Sequence, residues 1–256
     1  MKNFSYHNPT RIEFGTGKEE NIGQYISEYG ISKVLIVYGS ERIKKNGLFD
    51  KVAKLLTDNG ISFEALGGVQ SNPLLSKVYE GIEIAKSKNV EAVLAIGGGS
   101  VLDSSKAIAA GAKYDGDVWD FFTHKAVPSN ALKIFDIMTL AATCSEMNNF
   151  AVVTNDETKE KFSLAGPATY PTVSVINPEL QATVGNDYLA YSAADIFAHS
   201  LDMYLSATYL PEYMAGYVEN ILKTVMRTTN ILLADANNYE ARAEFAWAAT
   251  QALNFT

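Results

Sequence analysis

The feature that most constrains the fold is an alternation of strand-like and helix-like segments that begins at Lys33. The uninterrupted apolar run 34–38 predicts a buried strand, and apolar residues at helical spacing follow over 48–56. The same order recurs in the next two units, with strands predicted over 61–66 and 92–96 and helices over 75–85 and 101–112. Strands that alternate with helices predict an α/β domain with a mostly parallel sheet covered on both faces.

The second half of the chain departs from this alternation. Segments 151–155 and 161–164 flank a charged turn and predict a β-hairpin, and 172–176 is the last strand signal. Helical, alanine-rich patterns then follow over 187–204, 211–233 and from Tyr239 to the end. We therefore expect an α/β dinucleotide-binding domain over 1–184, followed by the first part of an all-helical domain over 185–256.

Charge and cysteine content limit the partners and the compartment. Lysine and arginine total 21 against 29 acidic residues, a net charge of −8, which argues against nucleic-acid binding. The one basic cluster, Arg42, Lys44 and Lys45, is expected to be a solvated loop or helix start. Cys144 is the single cysteine, which indicates a reducing compartment, and no long apolar window predicts a membrane segment. These features predict a cytoplasmic protein.

The run Gly97-Gly98-Gly99-Ser100 lies where a buried strand passes into a helix. Backbone N–H groups at a helix N-terminus favour anions, and glycine lets a phosphate approach closely, so this run predicts a phosphate site. Leu102 stands where the dinucleotide fingerprint requires its third glycine. A glycine-rich turn selected only for its tightness is the alternative.

Asp195 and His199 are four residues apart on a predicted helix, so both side chains lie on one face and could bind one divalent metal, zinc or iron(II). On the pattern alone, an ordinary helical pair or a solvated face is favoured. His7 and His124 are expected to be surface or loop residues. Cys144 is expected to be a small buried apolar residue and not a nucleophile, since no histidine lies near it in the sequence.

Several motifs in order resemble the iron-containing, metal-dependent alcohol dehydrogenase family, in its butanol dehydrogenase and NADPH-dependent aldehyde reductase branch. The resemblance extends almost from end to end of the chain. The motifs are Phe14-Gly15-Thr16-Gly17, Tyr38-Gly39, Asn72-Pro73, the run from Gly97 to Lys106, the run from Thr139 to Asn148, Asn177-Pro178-Glu179-Leu180 and the run from Ala193 to His199.

The resemblance implies reversible hydride transfer between NAD(P)H and a short-chain aldehyde or primary alcohol. It implies NADP or NAD as cofactor, because Gly39-Ser40 stands where NAD-specific relatives place an aspartate. In such enzymes the glycine run holds the pyrophosphate, so Thr139 and Thr143 are expected near the nicotinamide or its ribose, and Lys161 near the cofactor ribose. The cofactor-binding residues that the resemblance implies are Gly39, Ser40, Asn72, Gly98, Gly99, Ser100, Asp103, Thr139, Thr143 and Lys161.

The family's metal site uses one aspartate and three histidines, and Asp195 and His199 match the first two. The resemblance therefore implies a catalytic divalent metal. It separately implies a homodimer. Because the chain ends before the other two histidines, we expect a truncated copy with reduced or no dehydrogenase activity. One alternative is a non-catalytic nucleotide-binding fragment that associates through an uncovered apolar face around Phe245 and Leu253. A further alternative is an enzyme similar to glycerol dehydrogenases or dehydroquinate synthases.

Overall fold

The computed structural model describes residues 3–254. Its strands are β1 (Arg11–Phe14), β2 (Lys33–Tyr38), β3 (Ser62–Leu66), β4 (Ala92–Gly97), β5 (Lys133–Met138), β6 (Phe150–Thr154), β7 (Lys161–Ala165) and β8 (Val173–Ile176). Its α-helices are α1 (Ile22–Ser27), α2 (Arg42–Lys45), α3 (Leu48–Asp58), α4 (Leu75–Ser87), α5 (Gly99–Ala112), α6 (Trp119–Phe122), α7 (Asn186–Ser206), α8 (Glu212–Ala234) and α9 (Tyr239–Gln251). Single 3-10 turns, such as Ser145–Met147 and Pro178–Gln181, connect several of these elements.

Within the described residues, six strands form one sheet in the order β1-β8-β5-β4-β2-β3, and every pair in it is parallel. In the register, Leu35 of β2 pairs with Val93 of β4, and Val93 pairs with Ile134 of β5. Strands β6 and β7 form a separate antiparallel hairpin. The predicted parallel α/β architecture and the predicted hairpin are confirmed.

The central strands are apolar throughout because both faces of the sheet are covered. All six residues of β4 are buried, and side chains from alternate positions enter two different clusters. Val93 belongs to the cluster that contains α4 and α5, whereas Leu94 belongs to the cluster that contains α1 and α3. A strand that is buried on both faces reads as a continuous apolar run, and this explains why the sequence revealed β2 and β4 so clearly.

Strand β1, helix α1 and the short helix α6 were not predicted, and helix α5 begins earlier than expected. Strand β1 lies at the edge of the sheet, where Ile12 and Phe14 are only partly buried, and the short helix α1 packs against α3. Helix α5 begins at Gly99 and not at Val101, so two residues of the glycine run belong to the helix itself.

The helical segment that begins at α7 shares its core with the α/β part. One continuous cluster contains Leu102 of α5, Ile196 of α7 and Phe245 of α9, so the division of the chain at 184/185 stays a prediction. Residues 1, 2, 255 and 256 of that division lie outside the described residues. In the part of the chain that the structure describes, none of the helices combines the length and apolar character needed to cross a membrane.

The expectation of an uncovered apolar face on α9 is wrong. Phe245 is only 2% exposed and Ala249 is fully buried, because α9 packs on α8 and on the turn Pro178–Gln181. Trp247 on the same helix also makes an edge-to-face contact with Phe14 at 5.8 Å between ring centroids. The chain covers this face by itself, which removes the feature that favoured association through Phe245 and Leu253.

A buried carboxyl group stands in the middle of the sheet, at Asp136 of β5. Its Oδ2 lies 2.5 Å from the hydroxyl oxygen of Ser174, and that hydroxyl oxygen lies 2.6 Å from the backbone oxygen of Glu146. Ser174 has one hydroxyl proton and cannot donate to two acceptors at full strength. Burial raises the pKa of Asp136 well above its ordinary value, and the nearby Glu146 side chain adds to the rise. A protonated Asp136 that donates to Ser174 resolves the proton count.

We expect Asp136→Asn to flatten the pH dependence of the free energy of unfolding. A carboxyl group whose pKa is raised in the folded state contributes stability that is present below its unfolded pKa and is lost as pH rises through the folded pKa. The amide cannot titrate, so the variant should lose less stability than the parent chain between mildly acidic and mildly alkaline pH. Urea denaturation across that range measures the difference. The exposed Asp115→Asn serves as control, and a slope equal to that of the parent in Asp136→Asn would contradict a neutral Asp136.

Candidate functional site

The carboxyl ends of β2, β4 and β5 open into one cleft. These strands are parallel neighbours, and β3 and β4 lie on opposite sides of β2, so the strand order reverses between β2 and β4. Ligands of open α/β sheets bind at such a reversal. The cleft has a volume of about 690 Å³, within the range of about 300–1,000 Å³ that small-molecule sites occupy. The predicted cofactor-binding residues that line it are Gly39, Ser40, Gly98, Gly99, Ser100, Thr139 and Thr143.

The N-terminus of α5 points its free backbone groups into this cleft. The helix begins at Gly99, two residues after β4 ends, and no side chain in residues 3–254 caps it. The first N–H groups of a helix have no partner inside the helix, and the helix dipole favours a negative charge there. The turn therefore has the backbone features on which the predicted phosphate site depends.

Thr143 contacts the first turn of α5 so closely that residue 99 must be a glycine. A Cβ placed on Gly99 would collide with Oγ1, Cγ2 and Cβ of Thr143. Thr143 Oγ1 is buried and has no hydrogen-bond partner among the described residues. Thr143 itself lines the cleft, which is compatible with its predicted position near the nicotinamide or its ribose.

Arg42 also lines the cleft, and the sequence predicted only a solvated helix start there. None of the cleft-lining residues is acidic. Glu41, the nearest carboxylate in sequence, pairs with Lys44 at 3.0 Å and accepts a hydrogen bond from Tyr38. Lys44 lowers the pKa of Glu41. The Arg42 guanidinium makes no ion pair with any described carboxylate. Arg42 therefore adds an unpaired positive charge to a lining that also contains Gly39 and Ser40.

Asn72 and Lys161 contact each other although 89 positions separate them. Lys161 Nζ donates to Asn72 Oδ1 at 2.8 Å, which joins the hairpin to the segment before α4. Neither side chain lines the cleft, but Gln70 and Ser71 on the same segment do. The two predicted cofactor residues therefore lie together beside the cleft.

Asp103 and Lys106 of α5 anchor the segment that follows the threonines. Asp103 accepts hydrogen bonds from Ser145 Oγ at 2.7 Å and Val152 N at 3.0 Å. The fully buried Lys106 donates to oxygens of Ser145, Asn148 and Phe150, and burial lowers the pKa of Lys106 to about 8. Both carboxylate oxygens of Asp103 are thus bonded inside the protein. No role for Lys106 was predictable from local pattern, because only the fold brings the acceptors around it together.

Asp195 and His199 lie together on α7, with Oδ1 and Nε2 3.8 Å apart and both side chains partly exposed. This separation is compatible with two ligands of one divalent ion, so the pair fits half of a four-ligand site. Among the described residues, no cluster of three or more His, Cys, Asp or Glu side chains has the geometry of a metal site. His7 and His124 are exposed, as expected.

Cys144 is fully buried, as the sequence predicted, and burial raises the pKa of its thiol well above the ordinary value. Its sulfur lies 3.9 Å from Nδ1 of His199. Sequence separation alone did not reveal this neighbour, because His199 lies 55 positions further along the chain.

The fold and the cleft define a class, the α/β proteins that carry a helix N-terminus and their ligand cleft at the carboxyl edge of a parallel sheet. Within that class, the chain belongs to the iron-containing alcohol dehydrogenase family, whose model matches residues 9–178. The resemblance that the motifs indicated is confirmed.

Individual relatives support the same family. The chain is 42% identical over 254 residues to the probable NADH-dependent butanol dehydrogenase 1 of Bacillus subtilis, and 33% identical over 257 residues to the NADPH-dependent aldehyde reductase YqhD of Escherichia coli. Each match covers 99% of this chain and 65% of the relative. The crystal structure of NADH-dependent butanol dehydrogenase A from Thermotoga maritima matches with a TM-score of 0.96 and 48% identity, over 99% of this chain and 64% of that chain. The chain thus spans about 65% of the length of the curated relatives it matches.

Proposed function

We propose that the chain binds a nicotinamide dinucleotide in the cleft and takes part in hydride transfer between that cofactor and a short-chain aldehyde or primary alcohol. The observation that carries the proposal is the uncapped N-terminus of α5 at the carboxyl edge of the sheet, inside a cleft of suitable volume. Relatives named as butanol dehydrogenases and an aldehyde reductase support the substrate class.

In this proposal each part of the cleft binds one part of the cofactor. The N–H groups of Gly98, Gly99 and Ser100 bind the pyrophosphate, because unpaired donors at a helix N-terminus favour anions. The unpaired hydroxyl of Thr143, together with Thr139, lies near the nicotinamide. Cofactor enzymes derive much of their rate from such orientation, while the nicotinamide itself supplies the hydride.

We propose NADP as the preferred cofactor, with NAD as the alternative. NAD enzymes of this general type place a carboxylate on the ribose 2′-hydroxyl, whereas an arginine accommodates the 2′-phosphate of NADP. This cleft has Arg42 beside Gly39 and Ser40 and no acidic lining residue. The relatives' names include both cofactors, NADH for the Bacillus subtilis protein and NADPH for the Escherichia coli protein.

Asp195 and His199 are proposed as two ligands of a divalent metal, iron(II) or zinc. Such a metal supplies Lewis-acid polarisation of the substrate carbonyl when bound. A catalytic zinc site ordinarily has three protein ligands, and the described residues provide this pair only. We therefore expect weak metal binding and slow turnover by the chain as given.

The test measures binding and turnover separately. NADPH fluorescence titration should show saturable binding, and butyraldehyde reduction, followed by NADPH absorbance with Zn²⁺ or Fe²⁺ added, should be slow. Absence of both NADPH and NADH binding would refute the proposed function. Rapid turnover would confirm the dehydrogenase reaction and contradict the expected loss of activity.

Nucleotide binding without catalysis is the second candidate. It is favoured by one observation, namely that only two metal-ligating side chains are in position among residues 3–254. NADPH binding with no detectable reduction at any metal concentration would select it.

A further inference from the structure

The contact between Cys144 and His199 has no role in the proposed function so far. Cys144 follows β5, and His199 lies 55 positions later on α7, yet Sγ and Nδ1 are 3.9 Å apart. This distance lies within the longer range that sulfur hydrogen bonds span. The sulfur is fully buried, whereas the histidine side chain is 28% exposed. The contact therefore connects the protein interior to the side of α7 that carries Asp195 and His199.

A count of protons decides which atom donates in this contact. The Cys144 thiol has one proton, and two backbone oxygens already face the sulfur, Ala249 O at 2.8 Å and Ala142 O at 3.8 Å. If Nδ1 were unprotonated, it would be a third acceptor for the same proton. The thiol proton goes to the nearer acceptor, Ala249 O, and an Nδ1–H that donates to a sulfur lone pair then gives the contact between Sγ and Nδ1 one donor and one acceptor.

We propose that Cys144 is a positioning residue that holds neutral His199 as its Nδ1–H tautomer. Nε2 then carries the lone pair on the side that faces Asp195 Oδ1, 3.8 Å away. That distance is too long for a hydrogen bond, so Asp195 does not hold the opposite tautomer. An imidazole binds a metal through its unprotonated nitrogen, and a partner on the other N–H fixes the ring and strengthens binding. The functional meaning of this inference rests on the proposed metal role of His199, whereas the tautomer does not.

The geometry also separates this role from direct coordination by sulfur. Cys144 faces Nδ1 and Asp195 faces Nε2, and these two nitrogens point to opposite sides of the ring. An ion held between His199 Nε2 and Asp195 is therefore directed away from the sulfur. Cys144 acts through His199 and does not become a ligand.

Replacement by glycine gives a clean test, because Cys144 has a φ of 58° in the left-handed region that glycine favours. C144G removes the sulfur and leaves the backbone free to keep its conformation. Asn89→Gly is a matched control, since exposed Asn89 has a φ of 53° and lies at the end of α4.

The direct readout is the long-range ¹H–¹⁵N spectrum of the histidine rings in metal-free, ¹⁵N-labelled full chain. The measurement is made above the ordinary histidine pKa of about 6.5. The chain has only three histidines, so a spectrum of H199Q assigns the signal of His199. We expect the Nδ1–H tautomer in the parent chain and in Asn89→Gly, and a shift toward Nε2–H in C144G. Nε2–H in the parent chain, or an unchanged tautomer in C144G, would overturn the proposal.

The second readout is Zn²⁺ affinity, measured by competition with a chromophoric chelator. Loss of the partner of a ligating histidine lowers metal affinity about 10- to 100-fold, so C144G should bind Zn²⁺ at least about tenfold more weakly. Equal affinity in C144G and the parent overturns the positioning role. The Co²⁺ adduct of the parent should lack a sulfur-to-cobalt charge-transfer band, whose presence would mean direct coordination and also overturn the proposal. Failure of the proposed function is distinguishable, because it would appear as absent binding of both NADPH and NADH in the parent chain.

Discussion

Gly99→Ala is expected to lower NADPH affinity at least about tenfold and to destabilise the fold by about 1–3 kcal/mol, the usual cost of forcing extra atoms into a packed site. The new methyl group would collide with three atoms of Thr143. Relief of that collision moves either the first turn of α5 or Thr143 itself, and both belong to the proposed cofactor site. Fluorescence titration with NADPH and urea denaturation measure the two effects.

Gly216→Ala provides the matched control for this prediction. Gly216 lies inside α8 with no atom within 4 Å of an added Cβ, so alanine should stabilise the helix by about 0.5–1 kcal/mol. NADPH affinity should not change. If Gly99→Ala bound NADPH as tightly as this control does, the nucleotide would bind somewhere other than the N-terminus of α5.

Arg42→Ala is expected to weaken NADPH binding about 10- to 100-fold while NADH binding changes about twofold or less. A hydrogen bond to a charged group contributes about 1.5–3 kcal/mol, which corresponds to that range of affinity. Only NADPH carries the 2′-phosphate that Arg42 would contact at the end of the cleft beside Ser40. Parallel titrations with the two nucleotides measure the selectivity.

Lys45→Ala is the control for Arg42→Ala, because it removes a positive charge from the same short helix without touching the cleft lining. Its effect on either nucleotide should be small, since exposed charges at a distance are screened by salt. If Arg42→Ala weakened the binding of NADPH and of NADH equally, the guanidinium would not recognise the 2′-phosphate. A parent chain that prefers NADH would refute the NADP assignment while leaving dinucleotide binding intact.

The order of the α/β units was predictable because buried parallel strands leave a continuous apolar signature. The runs in β2 and β4 have no polar residue in their central positions, and α3 shows one apolar face. Strand β1 was missed although Arg11 and Glu13 alternate with Ile12 and Phe14. That alternation is the signal that could have found it, but four residues at an edge carry little of it.

The site was predictable only in part. The glycine run predicted the start of a helix after β4, and the spacing of Asp195 and His199 predicted that they share one helix face. A place for Arg42 in the cleft could not be predicted, because a basic residue at the start of a charged helix has the same sequence pattern whether it lines a site or faces solvent. The burial of Phe245 likewise depended on the turn Pro178–Gln181, about 65 residues away.

The sequence by itself determined the alternation of elements, the glycine turn and the family, because periodicity and local motifs are properties of neighbouring residues. Only the tertiary structure revealed three contacts. Thr143 packs against Gly99, Lys161 donates a hydrogen bond to Asn72, and the sulfur of Cys144 contacts His199. These contacts join residues 44 to 89 positions apart, and nothing in local pattern encodes such a distance. Thr143 meets Gly99 because the parallel neighbours β4 and β5 bring their carboxyl ends to one edge of the sheet, whereas Lys161 and His199 reach their partners from the hairpin and from α7.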